Sequence, residues 1–486
     1  MVSNNSSIGN SIFATVAGSL SLTVIVLALL FFEVGAGIVL ISAIVALGYI
    51  GIVSKKAKFG YYIFSTLSFA FPSIELYLGV SQFGVILDSI LFVTVLTLLF
   101  KILSEQNSEL GITRFKSFWI WVLWILFSLL IQVINSENVN WLSFIYGIRR
   151  QHLNPLGIIL LNILVIKTKR DFRQALVFHL VGAILLALIA ERQFFLGFNS
   201  FENNLLQTPF GKTHLLPGIT RYWGGFTDAA SSGVGLSLMI IGLIPSLINR
   251  QIMKYPLLSF LCFVLFLHAG LLSGTRSAYA SFAAGVAVVT FMYVRQRMQL
   301  FIILLGSIFY SALRFTSIGD SYTIIRRIRS GFNSEDASLL VRIANRVKLD
   351  DWLLTHPFGA GIGSASFDKR FAPDSFMATF PPDGLYVLIK SELGYPGQLF
   401  FNTMMTCIGC YLLYRTFKAH AFTDTKLWMA TFLALFIAAR VSDYAQMITF
   451  QFPLVNLLFF TLVAFEKFEK WPSVTIFKPK VEAPFR

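Results

Sequence analysis

The chain has 486 residues, 56% hydrophobic and only 13% charged, with a formal net charge of +15 and a mean hydropathy of +0.72. A soluble domain carries roughly 25% charged residues, so the composition excludes an ordinary soluble enzyme and predicts a polytopic membrane protein with no need for several globular domains. Nucleic-acid binding is not expected, because the basic residues lie scattered between apolar runs and form no basic module.

A membrane span needs about 20 mostly apolar residues, and about fourteen stretches qualify. They run near 12–32, 34–53, 60–80, 82–103, 117–135, 153–168, 172–190, 228–248, 256–273, 277–295, 298–315, 384–415, 425–440 and 447–465. The first lacks a basic leading region and a small-residue cleavage site, so it reads as a retained span, not a signal peptide. The predicted fold class is therefore all-α: a polytopic integral membrane protein with about 14 transmembrane helices and one large extracytoplasmic loop. Cys262, Cys407 and Cys410 fall in apolar segments, form neither a disulfide framework nor a metal set, and read as buried packing residues.

The gaps after the even-numbered spans are basic. They hold Lys55, Lys56 and Lys58, then Lys101, Arg114 and Lys116, then Lys167, Lys169, Arg170 and Arg173, and later Arg250, Lys254, Arg295, Arg297, Arg415 and Lys418. Cytoplasmic loops carry the excess of Lys and Arg, so these gaps and both termini are expected in the cytoplasm. That topology leaves Arg149, Arg150, Arg221, Arg276, Arg326, Arg327, Arg329, Arg342, Arg346 and Arg440 on the outer face, against the habit of membrane proteins. Arginine is the side chain best suited to a forked grip on phosphate or carboxylate. The chain accordingly divides into a helical region 1–315, an extracytoplasmic loop 316–383, a second helical region 384–466 and a cytoplasmic tail 467–486. A further outer segment runs from about 191 to 227, and loops this long in a compact protein are functional or disordered. Ala337–Trp352 places apolar residues at helical spacing and reads as an amphipathic helix lying on the membrane or capping a cavity.

Several outer motifs invite a chemical reading. Arg221 stands in Gly218–Asp228 beside Tyr222 and Trp223, either an interfacial anchor or a functional cation. Arg276 sits in a very short turn, Leu271–Tyr279, without other charges nearby, which argues against simple snorkelling. Arg342 lies on the amphipathic helix. Gly359, Gly361 and Gly363 suggest a backbone that needs positive φ or close approach, and His356 before Pro357 reads as a turn residue. Asp383 opens the next span and has the position of a helix cap. Glu392 lies deeper in that span, where an ionisable group is costly and marks a paired or functional site; Lys390 faces elsewhere. Arg440 and Asp443 read as a structural pair. Arg149 and Arg150, with no acid beside them in sequence, suggest an anion contact or an interface anchor.

The chain has no zinc helix, no nucleotide-binding loop and no serine-hydrolase elbow. Taken together, residues 220–230 (TRYWGGFTDAA), 273–279 (SGTRSAY), the run from Arg342 through Trp352 to 356–363 (HPFGAGIG), and 383–397 (DGLYVLIKSELGYPG) resemble the O-antigen ligase/O-antigen polymerase (Wzy-type) superfamily of bacterial membrane glycosyltransferases. The resemblance covers about residues 140–400 and lies in the order of these motifs relative to the spans. It departs from the ligase pattern at one place. Ligases carry a His eleven residues before the first glycine of the closing motif, and here that position, counted back from Gly394, is Asp383. The departure leaves the polymerase type standing.

The resemblance implies transfer of a glycan from an undecaprenyl-diphosphate carrier to a sugar hydroxyl of a lipid-linked acceptor, on the outer face of the cytoplasmic (inner) membrane, without metal or cofactor. It implies Asp383 as general base, with Arg276 and Arg342 stabilising the departing diphosphate. Arg221, Arg149, Arg150, Glu392 and Arg440 are further substrate-binding candidates. Expected partners are the lipid-linked donor and acceptor, membrane lipid and a chain-length regulator. Two other readings remain: a ligase delivering glycan to lipid A-core or protein, and a flippase for lipid-linked sugars.

Overall fold

The computed structural model describes residues 47–78, 83–104, 112–135, 140–216, 219–248, 256–332, 336–420 and 423–471. The expected first span, most of the second, and most of the tail lie outside the described residues. The described helices are α1 (Ala57–Leu78), α2 (Phe83–Ser104), α3 (Lys116–Ile134), α4 (Trp141–Ile148), α5 (Asn154–Val165), α6 (Lys169–Leu196), α7 (Ser200–Leu206) and α8 (Gly211–His214). After these come α9 (Ala229–Ile248), α10 (Pro256–Leu272), α11 (Arg276–Tyr293), α12 (Gln296–Phe315), α13 (Thr323–Ser330) and α14 (Ala337–Leu353). The last are α15 (Ser364–Phe371), α16 (Phe376–Thr379), α17 (Leu385–Lys418), α18 (Asp424–Asp443) and α19 (Leu454–Phe468). The architecture is all-helical apart from a small antiparallel hairpin, β1 (Leu215–Leu216) and β2 (Ile219–Thr220), pairing Leu215 with Thr220.

A helix stands at every apolar stretch expected from 60–80 onward. Six are long and apolar enough to cross a membrane: Gly84–Ser104 within α2, then α3, α6, α9, α12 and α18. The other helices are shorter or carry more polar residues.

At the centre stands α18, packed on α9, α11, α17 and α19, with α11 its most extensive neighbour. Its Ala430, Ala434 and Ala438 form a fully buried stripe. Small residues at that spacing let helix backbones approach closely. By contrast α12 barely touches the rest. Only 6% of its apolar window is buried, and Leu300, Phe301, Ile303, Leu304 and Ile308 are exposed.

Several basic gaps among the described residues meet at one end of the bundle. Lys58 pairs with Asp171, Lys169 Nζ donates to Asp424 Oδ2 at 3.0 Å, and Arg415 pairs with Glu469. Glu466 accepts from the backbone N–H groups of Lys116 and Ser117 at 2.8 and 2.7 Å, capping the start of α3. Lys467 Nζ donates to the carbonyls of Asn162 and Ile163 at the end of α5. These are the orphan groups every helix leaves at its termini. From Asp424 at this end, α18 runs 20 residues to Asp443, about 30 Å at 1.5 Å per residue. Arg440 and the other unusual arginines stand at that far end.

Four local expectations need correction. Cys407 and Cys410 are exposed, and only Cys262 is buried; in α17 an apolar position can face outward because the surroundings are expected to be lipid. The last apolar stretch is helical only from Leu454, since Asp443 holds 448–449 in a loop by accepting from their backbone N–H groups. Residues 316–383 contain four helices, not one, because α13 and α15 are short amphipathic segments. The stretch 384–415 is broken at Gly394 (φ 64°, ψ −163°).

Candidate active site

The loop before α9 and the turn before α11 are fastened by Arg221. Its Nε donates to Ser273 O at 3.1 Å, Nη1 to Thr213 O at 3.0 Å and Nη2 to Thr275 Oγ1 at 2.8 Å. Thr275 Oγ1 in turn donates to Ala229 O at 3.0 Å. Burial, followed by the repulsion of Arg327 and, less strongly, of Arg276, lowers the Arg221 guanidinium to about 10, with Asp228 and Tyr279 opposing. A cation this committed builds the site more than it grips a ligand.

Arg276 begins α11 and is met by an acid from sixty residues on. Its Nη2 donates to Asp336 Oδ1 at 2.8 Å, Nη1 stands 2.8 Å from Asp336 Oδ2, and Nη1 also donates to Ser330 O at 3.1 Å. This bidentate geometry is the strong form of an ion pair. The hydrogen bond from Arg276 holds the Asp336 carboxyl below its usual range, against the opposing effect of burial. Asp336 also caps α14, accepting from Leu339 N at 3.2 Å. Arg327 Nε donates to Gly274 O at 3.1 Å beside them.

α14 presents three functional side chains, Arg342, Asn345 and Arg346, at helical spacing. Arg342 makes no hydrogen bond or ion pair with any described residue. Burial lowers its guanidinium pKa; the charge of Asp383 supports it, while Arg276 and Arg346 repel it. Asn345 Nδ2 donates to Asp383 Oδ2 at 2.7 Å. Arg346 Nη1 donates to Tyr444 Oη at 2.6 Å, with its guanidinium 4.3 Å from that ring's centre. Asp383 does not cap α17: Gly384 occupies the N-cap position, with no side-chain cap bond. The carboxylate turns to α14 instead.

Below this cluster opens a cavity of about 1270 Å³, walled by α10, α11 and α12. Arg276, Asp336, Arg342 and Tyr444 line one end, and Thr290, Phe291 and Gln299 the other. The space exists because Ala280, Ala283 and Ala287 present small side chains along one face of α11 and Gly306 faces them from α12. From Arg276 to Phe291 the groove follows about 22 Å of helix. An apolar slot of membrane depth ending in arginines can hold a lipid tail and its anionic head together. Among the described residues no group of three or more His, Cys, Asp and Glu lies together as a metal cage needs.

Arg149, Arg150 and Glu392 gather elsewhere. Arg149 Nε lies 3.0 Å from Asp88 Oδ2, and Arg150 Nε donates to Phe450 O at 3.4 Å. Gln151 Nε2 donates to Glu392 Oε2 at 2.7 Å. The sequence neighbourhood showed no acid; other helices supply them. Around Glu392 the glycine run is strapped to the break in α17. Ala360 N donates to Ser391 O at 2.9 Å, Gly361 N to Glu392 O at 2.8 Å and Tyr395 N to Pro357 O at 3.2 Å. Gly359, Gly361 and Gly363 have φ of 81°, 95° and 85°. A Cβ on Gly394 would collide with Pro357 O, and one on Gly363 with Ser143 O. His356 stacks on Trp352, centroids 4.1 Å apart, a structural role. Lys390 pairs with Asp350, not Glu392. Arg440 pairs with Asp443 at 2.5 Å and bonds Thr449.

Thus Arg276, Arg342 and Asp383 share one cluster with Arg221 beside it, Arg440 stands near Tyr444 on its border, and the half-buried Arg149 and Arg150 lie apart with the buried Glu392. Asp336, Asn345 and Tyr444 were not anticipated, and Arg346 was expected only as one of the outer arginines. Arg346 was legible as the i+4 neighbour of Arg342; the others meet the site only through the tertiary fold.

The all-helical architecture and the six helices long and apolar enough to cross a membrane are those of a membrane protein with a cationic cluster at one end. A family model described as O-antigen ligase matches residues 261–402, from α10 into α17. The match covers 142 of the 486 residues and supports the resemblance to the O-antigen ligase/O-antigen polymerase superfamily. The matched stretch contains Arg276, Arg327, Arg342, Asp383 and Glu392 but not Arg149, Arg150, Arg221 or Arg440. No curated protein matches the chain.

Proposed function

We propose that the protein is a polysaccharide polymerase. It transfers a glycan from an undecaprenyl-diphosphate donor to a sugar hydroxyl of a lipid-linked acceptor, without a metal, at the outer face of the cytoplasmic membrane. The observation that carries this reading is the apolar groove between α10, α11 and α12 ending at Arg276 and Arg342. The meeting of several basic gaps at the opposite end of the bundle supports the assigned sidedness, with both termini in the cytoplasm and 316–383 outside.

In this reading the donor's polyprenyl chain enters sideways past α12, and its diphosphate meets the arginines. The acceptor oxygen attacks the anomeric carbon. A new C–O bond forms, the bond to the diphosphate oxygen breaks, and its electron pair leaves with the diphosphate. The hydroxyl proton passes to the Asp383 carboxylate, which Asn345 orients. Arg342 is the uncommitted cation and takes the developing charge. Arg276 joins it only by sharing or releasing Asp336. Arg221 and Arg327 supply fixed positive potential behind them. Arg149, Arg150 and Glu392 hold the glycine strap and α17 in register.

Purified protein in nanodiscs, given a lipid-diphosphate oligosaccharide, tests the proposal. Longer glycans with release of polyprenyl diphosphate, unaffected by EDTA, are expected. Translocation without bond cleavage would sink it in favour of a flippase. The match to a family described as O-antigen ligase favours a second reading in which lipid A-core or a protein is the acceptor. Offering these acceptors beside the lipid-linked one separates the two.

A further inference from the structure

A groove that admits a polyprenyl chain past the lightly held α12 also admits the acyl chains of ordinary phospholipids. A membrane holds these in great excess, and their headgroups carry phosphate too. The arginine end of the groove must therefore tell one phosphate-bearing lipid from another.

Arg276 and Asp336 both line that end. The carboxylate takes the Nη1 and Nη2 edge of the guanidinium in bidentate form, the same edge a phosphate takes. The hydrogen bond from Arg276 holds the Asp336 carboxyl below its usual range, so it competes as a full charge at neutral pH. Only 19% and 15% of the two side chains are exposed, so solvent screens this pair less than a surface pair. Asp336 has a second tie as the cap of α14, accepting from Leu339 N, and the charge of Arg327 also reaches it. A displaced carboxylate therefore stays anchored near another cation. Arg342, on the same wall, forms no hydrogen bond or ion pair with a described residue.

The two arginines thus make unequal demands. A singly charged phosphodiester headgroup is satisfied at Arg342 and has no charge left with which to dislodge Asp336. A doubly charged diphosphate diester can rest one phosphate on Arg342 and exchange the other for the carboxylate on Arg276.

We propose that Asp336 is a specificity-determining residue, a resident carboxylate that a diphosphate displaces and a phospholipid headgroup does not. This rests on the groove being the donor site. It adds a reason for Arg276 to be paired at rest while Arg342 is not.

The test uses the full-length protein and a lipid-diphosphate donor in nanodiscs of phosphatidylcholine or of phosphatidylglycerol. The parent should give donor KM values within about twofold of each other in the two lipids. Asp336→Asn keeps the α14 cap, since Asn serves there as well as Asp, and loses the charge. Its donor KM should fall roughly tenfold in phosphatidylcholine, the scale of one charge-assisted contact no longer to be displaced. It should rise by at least as much on transfer to phosphatidylglycerol, with kcat changed less than KM. Asp336→Ser, which caps but is too short for the bidentate pair, should behave alike should the first variant fold poorly. A donor KM not lowered in phosphatidylcholine, or a variant as indifferent to phosphatidylglycerol as the parent, would overturn the proposal; a purely structural Asp336 would move the melting temperature and leave the lipid dependence of KM alone. Photolabelling of the parent with a diazirine-bearing polyprenyl diphosphate separates the two levels. No label on the α11–α12 wall overturns the donor reading and this inference with it, whereas label there with a lipid-indifferent Asp336→Asn overturns the inference alone.

Discussion

Arg342→Ala separates function from fold more cleanly than any other change at the site. Arg342 is half-buried and forms no hydrogen bond or ion pair with a described residue, so its removal costs only packing and the longer-range attraction of Asp383. A substitution of that kind shifts stability by no more than about 0.5 kcal/mol, and the melting temperature in detergent should hold within a few degrees. What is lost is one or two charge-assisted hydrogen bonds to the leaving diphosphate, each about 1.5–3 kcal/mol. That corresponds to roughly 10- to 100-fold in kcat/KM for one such bond. The assay is glycan elongation in nanodiscs under subsaturating donor, with Arg342→Lys as an intermediate that keeps charge and loses the fork. Arg276→Ala is the contrasting control, because it also strands Asp336 and should lower stability as well as rate. If Arg342→Ala elongates within about twofold of the parent, the arginine does not meet the reacting diphosphate and the chemical assignment fails.

Asp383→Asn should cut kcat by about 10²- to 10⁴-fold, the usual contribution of a general base, with little change in donor KM; an unchanged kcat would remove Asp383 from the base role. Gly394→Ala should destabilise the protein by about 3 kcal/mol or more, since the left-handed backbone is strained for alanine and the new methyl meets Pro357 O; a normal melting profile would refute this. Glu202 gives a pH signature. Burial alone would raise its carboxyl, but hydrogen bonds from Arg192, Tyr77 and Gln193 overcome it and hold it at about 2. Its contribution is therefore complete above the ordinary value of 4.5 and disappears as pH falls through about 2. Glu202→Gln should be less stable than the parent at neutral pH, and the gap should close on acidification; a gap constant with pH would show that the ion network adds nothing.

The helices were legible because apolar runs of membrane length are hard to read otherwise, and the glycine run declared its positive φ in advance. The partners were not. Arg276 looked solitary because Asp336 lies sixty residues on, beyond any local pattern. Asp383 had the position of a cap and instead faces Asn345, a choice made by where α14 packs. Arg149 looked unpaired because Asp88 arrives from α2, and Arg150 because its hydrogen-bond acceptor, Phe450 O, lies three hundred residues on. Periodicity reports which face of a segment is buried, but not which distant side chain will be buried against it.

The loose attachment of α12 bears on selectivity. In the proposed reading, a wall fastened so lightly to the bundle can fit tails of different length or saturation, and it would discriminate poorly among isoprenoids. Choice of carrier then falls to the charged rim, where the spacing of guanidinium groups is fixed by α11 and α14. Such an enzyme would accept truncated or saturated carriers readily and reject a monophosphate in place of the diphosphate.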